Sequence, residues 1–193
     1  MTVEAEGVYR RIIRTPVAVI ERRDVPLGGR RVMIDAPLRL HEATVPPEWL
    51  DYNGHMSEWC YLLLVGDAAD AFFRYVGIDE AYRAAEHSLY TAETHLHHLR
   101  EAAPGDRLAV PLQVLDVGPK SLHLFHTVRD EATGEPVATA EQLLVHVDMA
   151  AGRVVPMPEA LHARLAAITA AHAALPRPAE VGHVMGIRRR GAG

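Results

Sequence analysis

Six residues carry the chemistry most open to reading: Asp51-Tyr52-Asn53-Gly54-His55-Met56. A carboxylate, an amide and an imidazole alternate in a loop, and an apolar run starts just after it. Ser57 is an N-cap type, so the run reads as a helix beginning there. The first N–H groups of a helix lack intrahelical partners and sit at the positive end of its dipole. A carbonyl oxygen placed on them is polarised, and an oxyanion formed there is stabilised. A carboxylate a few residues upstream can attack the carbonyl carbon or activate a water. Asp51, Asn53 and His55 then suit acyl transfer, with Gly54, Met56 and Ser57 at the oxyanion end. The same letters also fit a plain Asp/Asn–Gly turn, and the local pattern leaves both readings open.

The elements around this loop must hold it. Leu38, Leu40 and Val45 mark a strand ended by Pro46–Pro47. The run EWCYLLLVGDAADAFFRYV predicts one long helix closed by Gly77 at C′. Its apolar residues cover most of the circumference, leaving Gly66, Asp67, Asp70 and Arg74 as a narrow polar edge, so it is expected to be buried. Four alternating segments follow: SLYTAETHLHHLREA, DRLAVPLQVLDVG, KSLHLFHTVRDE and PVATAEQLLVHVDMA. Short turns join them, which predicts an antiparallel sheet. A last helix, EALHARLAAITAAHAAL, shows Leu161, Leu165, Ile168 and Leu175 near one face. The fold class is α+β: an antiparallel sheet wrapped around one long central helix, the hotdog architecture.

The chain as a whole sets limits. It has 193 residues, 49% hydrophobic and 23% charged, with net charge −5. That fits one globular domain and no nucleic-acid binder. One cysteine, Cys60, excludes a disulfide framework and reads as a packing residue. There is no apolar stretch of membrane-spanning length and no secretory apolar core at the start, so a cytoplasmic protein is expected. Residues 1–35 read as an Arg-rich arm interrupted by Pro16, Pro26 and Gly28–Gly29, with Val17–Ile20 a short strand at most. Residues 36–175 read as the domain, and residues 176–193 as a disordered tail. Twelve histidines invite a metal reading. His95, His97 and His98 cluster, but no HExxH or cysteine spacing supports a site, so no metal is expected. His123, His126 and His146 read as ordinary strand residues.

The segments VPPEWLDYNGHM, WCYLLLVGDAADAFF, YTAETHLHHLREAAPGD, KSLHLFH and TAEQLLVHVD together resemble the acyl-CoA thioesterases of the 4-hydroxybenzoyl-CoA thioesterase-like hotdog family. Within it they look like the betainyl-CoA thioesterases of carnitine breakdown, including the domain fused to L-carnitine dehydrogenases. No G-x-G-x-x-G follows a strand, so no dehydrogenase half is expected here. The resemblance implies that Asp51 is nucleophile or general base on a thioester, that no cofactor is needed, and that sites lie between the subunits of a homodimer or dimer of dimers. Glu93 reads as a further catalytic or interface carboxylate. It shares one strand face with Thr91, His95 and His97, while Tyr90, Ala92, Thr94 and Leu96 face the helix. Lys120, the only lysine, with Ser121 and Arg100, suits the phosphates of CoA. Trp59, Tyr61 and Tyr90 are candidates for a trimethylammonium pocket. The rival classes are a hotdog enoyl-CoA hydratase or dehydratase, whose signature is absent, and a non-catalytic acyl-CoA binding module.

Overall fold

The computed structural model describes residues 20–187. Two strands, β1 (Glu21–Leu27) and β2 (Arg30–Ala36), form an antiparallel hairpin. Then come β3 (Leu38–Thr44), a 3₁₀ turn (Pro47–Trp49), the long helix α1 (Glu58–Val76) and the short helix α2 (Glu80–Ala84). The chain continues through β4 (His87–His98), β5 (Arg107–Val117), β6 (Ser121–Asp130), β7 (Pro136–Asp148) and β8 (Arg153–Val154). It closes with α3 (Glu159–His172). The main sheet is antiparallel in the order β3-β5-β6-β7-β4, with β8 on the end of β7. It curls around α1, so the α+β expectation holds.

Gly77 ends α1 in the left-handed region at φ 92, where a glycine carries no Cβ penalty. Cys60, Tyr61, Leu64, Val65, Ala68, Ala69, Phe72 and Val76 bury the helix face that meets the sheet. The expectation of a helix buried all round does not hold within one chain. Trp59, Leu62 and Leu63 are 57%, 48% and 40% exposed. A curled sheet closes on one side of a helix only, so the other side of α1 stays open within one chain; β4 ends the sheet, with no strand beyond it among the described residues.

The arm expected over residues 1–35 is structured where it is described. Gly28 and Gly29, read as breakers, are the two-residue turn of the β1–β2 hairpin, both at positive φ (56 and 76). Val25 and Ile34 enter the core beside Leu161, Leu165 and Ile168 of α3. His172 ties three elements: Val114 N–H donates to its Nδ1 (2.8 Å) and its Nε2 donates to the Asp35 carbonyl (3.1 Å). The Val17–Ile20 strand lies outside the described residues except for Ile20, which is in no strand. Of the tail, residues up to 187 are described, and the Gly182 N–H donates to Glu141 Oε2 (2.8 Å) on β7. A hydrogen bond to the sheet is not what a disordered tail predicts.

Candidate active site

The loop before α1 is held at both ends by main-chain bonds. Leu50 and Met56 form a β-bridge, Asp51 N–H donates to the His55 carbonyl (2.9 Å), and Gly54 N–H donates to the Asp51 carbonyl (3.0 Å). Gly54 takes φ 79, which the tight turn requires. Inside it the Asp51 carboxylate accepts from the Asn53 N–H (2.7 Å, Oδ1) and from Asn53 Nδ2 (3.4 Å, Oδ2). Asn53 therefore sets the orientation of the carboxylate. His55 Nε2 lies 3.3 Å from Glu101 Oε2.

The oxyanion residues named from sequence need a correction. The Gly54 amide is spent within the turn, the Met56 amide donates to the Ala102 carbonyl (2.8 Å), and the Ser57 amide donates to the Trp49 carbonyl (2.8 Å). Ser57 is the backbone N-cap, yet its side chain makes no cap bond. The N–H groups of Glu58 and Trp59 have no acceptor among the described residues, which follows from the four orphan donors of any helix start. The open donors thus lie one residue further into α1 than the loop reading placed them.

The β4 faces also change. Thr91 pairs with Leu144 and Glu93 with Leu143, so Ala92 is the extra residue of a bulge. Leu144 is buried and Leu143 is 41% exposed. Thr91 therefore shares the helix-facing side with Thr94 and Leu96, while Tyr90 joins Glu93, His95 and His97 on the outer side. Glu93 pairs with His95 (3.0 Å) there. The three aromatic candidates do not meet within one chain. Trp59 is on the open side of α1, Tyr90 is on the outer face, and Tyr61 is buried, with its hydroxyl donating to the Arg100 carbonyl (3.4 Å). The CoA candidates separate too. Arg100 lies beside Val137 and pairs with Glu135 (3.6 Å), whereas Lys120 and Ser121 lie at Val145–His146. Eight residues of β7 part them, about 27 Å at the rise of a strand.

Sequence reasoning missed two polar groupings, one buried and one part-buried. On the helix-facing side of the sheet, His126 Nε2 bonds Gln142 Oε1 (3.0 Å), and Gln142 Nε2 donates to Thr94 Oγ1 (3.3 Å). His126 is wholly buried, and that burial pushes its imidazole down to about 4. At the other end of β4, the Tyr82 hydroxyl lies 2.6 Å from His146 Nε2, and the His87 ring stacks on His146 at 5.6 Å. Only the alternation placing His126, Gln142 and His146 on apolar strand faces hinted at either.

A curled antiparallel sheet around a helix, with a carboxylate loop at that helix's start, defines a hotdog-type thioesterase architecture. The thioesterase-like superfamily model matches residues 45–165, and the chain belongs to that superfamily. The chain is 46% identical over 176 residues to the L-carnitine dehydrogenase/betainyl-CoA thioesterase of Rhizobium meliloti strain 1021, covering 90% of this chain and 36% of that protein. The chain spans about a third of the length of such two-activity relatives. It is 40% identical over 151 residues to the betainyl-CoA thioesterase of Pseudomonas aeruginosa, covering 78% of this chain and 95% of that one. Among solved structures, a Staphylococcus aureus protein in complex with CoA superposes with TM-score 0.74 at 27% identity, over 79% of this chain and 98% of the other. No helix among the described residues is long and apolar enough to cross a membrane.

Proposed function

We propose that the chain hydrolyses an acyl-CoA thioester, betainyl-CoA in first place, and that it does so as a homodimer. The observation that carries this is the Asp51 carboxylate, oriented by Asn53, beside a helix start whose Glu58 and Trp59 N–H groups are open. The thioester oxygen sits on those two donors, which favour it most as it gains negative charge. Asp51 either bonds the carbonyl carbon or takes a proton from the water that does. The C–S bond breaks, and the CoA thiolate leaves and takes up a proton. On the first route this leaves an acyl–Asp51 mixed anhydride, which water opens at the Asp51 carboxyl carbon; on the second, the water oxygen enters the product acid directly. In a single turnover in ¹⁸O-water, a direct attack by water labels the product. A nucleophilic Asp51 instead delivers one of its own oxygens.

The dimer uses the free edge of β4. A strand edge unpaired among the described residues, together with the exposed Trp59, Leu62 and Leu63 of α1, calls for cover by a second copy. Two identical edges related by a two-fold axis pair antiparallel. That brings the Lys120–Ser121 turn of a second copy toward this copy's α1 start, where it meets CoA phosphates with Arg100. The homologues named betainyl-CoA thioesterase support the substrate. An acyl-CoA substrate supports the reading of a cytoplasmic enzyme. The test is thiol release from an acyl-CoA panel. Asp51→Asn is expected to lose at least about 100-fold in kcat. Full turnover by that variant overturns the assignment.

A further inference from the structure

We propose that the ring cluster Tyr82–His87–His146 of one copy and Trp59 of the other form the wall that recognises a cationic acyl group in each active site. This rests on the hydrolase and dimer reading above.

The start of α1 abuts the last residues of β4. The Tyr61 and His98 rings meet edge to face at 5.0 Å, and Met56 N–H reaches the Ala102 carbonyl just beyond the strand. The ring cluster lies at the first residues of the same strand, around His87. Full antiparallel overlap of two β4 edges sets His87 of one copy level with His98 of the other. The cluster of a second copy therefore comes up to this copy's α1 start. Trp59, in the first turn of α1, is 57% exposed and offers a large aromatic surface there.

The cluster suits a cation that cannot donate hydrogen bonds. Its polar atoms are turned inward: His146 Nδ1 donates to the Val155 carbonyl (3.1 Å), so Nε2 is an acceptor and the Tyr82 hydroxyl donates to it (2.6 Å). His146 is 1% exposed and backs the other two rings, and His87 Nδ1 is buried without a partner among the described residues, so the accessible surface is that of the Tyr82 and His87 rings. Tyr82 and His87 are both half-buried and present rings at 6.1 Å from each other. Aromatic faces attract quaternary ammonium groups through their quadrupole. Burial holds the His146 imidazole below its usual range, which keeps it neutral. Lys120 belongs to the same end of the sheet, since its carbonyl accepts from His146 N–H (2.8 Å), so one end of a copy serves both the acyl cation and the CoA anion.

The experiment compares betainyl-CoA with 3,3-dimethylbutyryl-CoA, its uncharged carbon isostere. The wild type is expected to favour the cation at least 10-fold in kcat/KM. Trp59→Leu and Tyr82→Leu each cut that preference about 10-fold, and Tyr82→Leu, remote from the α1 donors of its own chain, leaves the neutral ester within about 3-fold. Tyr82→Phe, which keeps the ring, retains the preference. A mixed dimer of Trp59→Leu with Tyr82→Leu holds one intact site and recovers about half the wild-type activity on betainyl-CoA. Equal losses on both esters, or no recovery in mixed dimers, overturn the shared wall. A wild type that hydrolyses only the neutral ester overturns it as well. A wild type that hydrolyses neither overturns the hydrolase reading. Quenching of Trp59 fluorescence by betainyl-CoA and not by the neutral ester then still decides the wall.

Discussion

Acidification from pH 7 to pH 5 bears most directly on the wholly buried His126. It pairs in register with Leu112 and Ala140 on the neighbouring strands, and among the described residues only Gln142 meets its ring with a hydrogen bond. Burial lowers its pKa from 6.5 to about 4. The folded protein therefore leaves it neutral at pH 5, where the unfolded chain has already taken up a proton. Stability is lost as the pH falls below 6.5, and the loss levels off near pH 4. At about 1.4 kcal/mol per pH unit, the decrement from this one group between pH 7 and pH 5 is about 2 kcal/mol. Burial also holds His146 and His172 below the ordinary range, so they act in the same direction. A comparison with His126→Phe removes those shared contributions. The phenyl ring leaves Gln142 Oε1 without its donor at every pH, which is a constant penalty. Urea unfolding of both proteins at one fixed concentration gives the two curves. The variant is expected to be less stable at pH 7, with the gap closing by about 2 kcal/mol at pH 5. Parallel curves would refute the buried neutral imidazole.

Two further outcomes probe the fold. Ile34→Ala, in the hairpin over α3, is expected to cost 2–4 kcal/mol in urea unfolding, roughly the range for a buried isoleucine; a cost below about 0.5 kcal/mol would mean that the hairpin only rests on the surface. Gly77→Ala forces a Cβ into the left-handed region, 3.0 Å from Arg164 Nη1, whose guanidinium donates to the Val76 carbonyl. The expected loss is about 1 kcal/mol in the same assay, and an unchanged midpoint would contradict the strained cap.

Much of the fold was legible because its signals are local. The apolar run after Ser57, the glycine at its end, and the turn residues between alternating segments each act within a few positions. The β1–β2 hairpin was equally local: Gly28–Gly29 stands between Val25 and Val32, which is the pattern of a two-residue turn. The pair also reads as a break, because glycine pairs punctuate loops as well as hairpins. The bulge at Ala92 was not legible. Nothing in TAET distinguishes a strand that pairs one-to-one from one with an extra residue, and that single slip exchanges Tyr90 and Thr91 between faces.

By itself the sequence determined the order of elements, the long helix and its end, and the Asp51–His55 loop at its start, since these depend on propensity, capping and short spacings. The tertiary structure decided which donors are free. The Met56 and Ser57 amides are taken by Ala102 and Trp49, residues 46 and 8 positions away, and no local rule foresees such partners. It also decided that Lys120 and Arg100 stand at opposite ends of the sheet and that His87 and His146 stack beside Tyr82. Those relations come from strand pairing between distant segments, where a contact's worth depends on burial that only the folded chain creates.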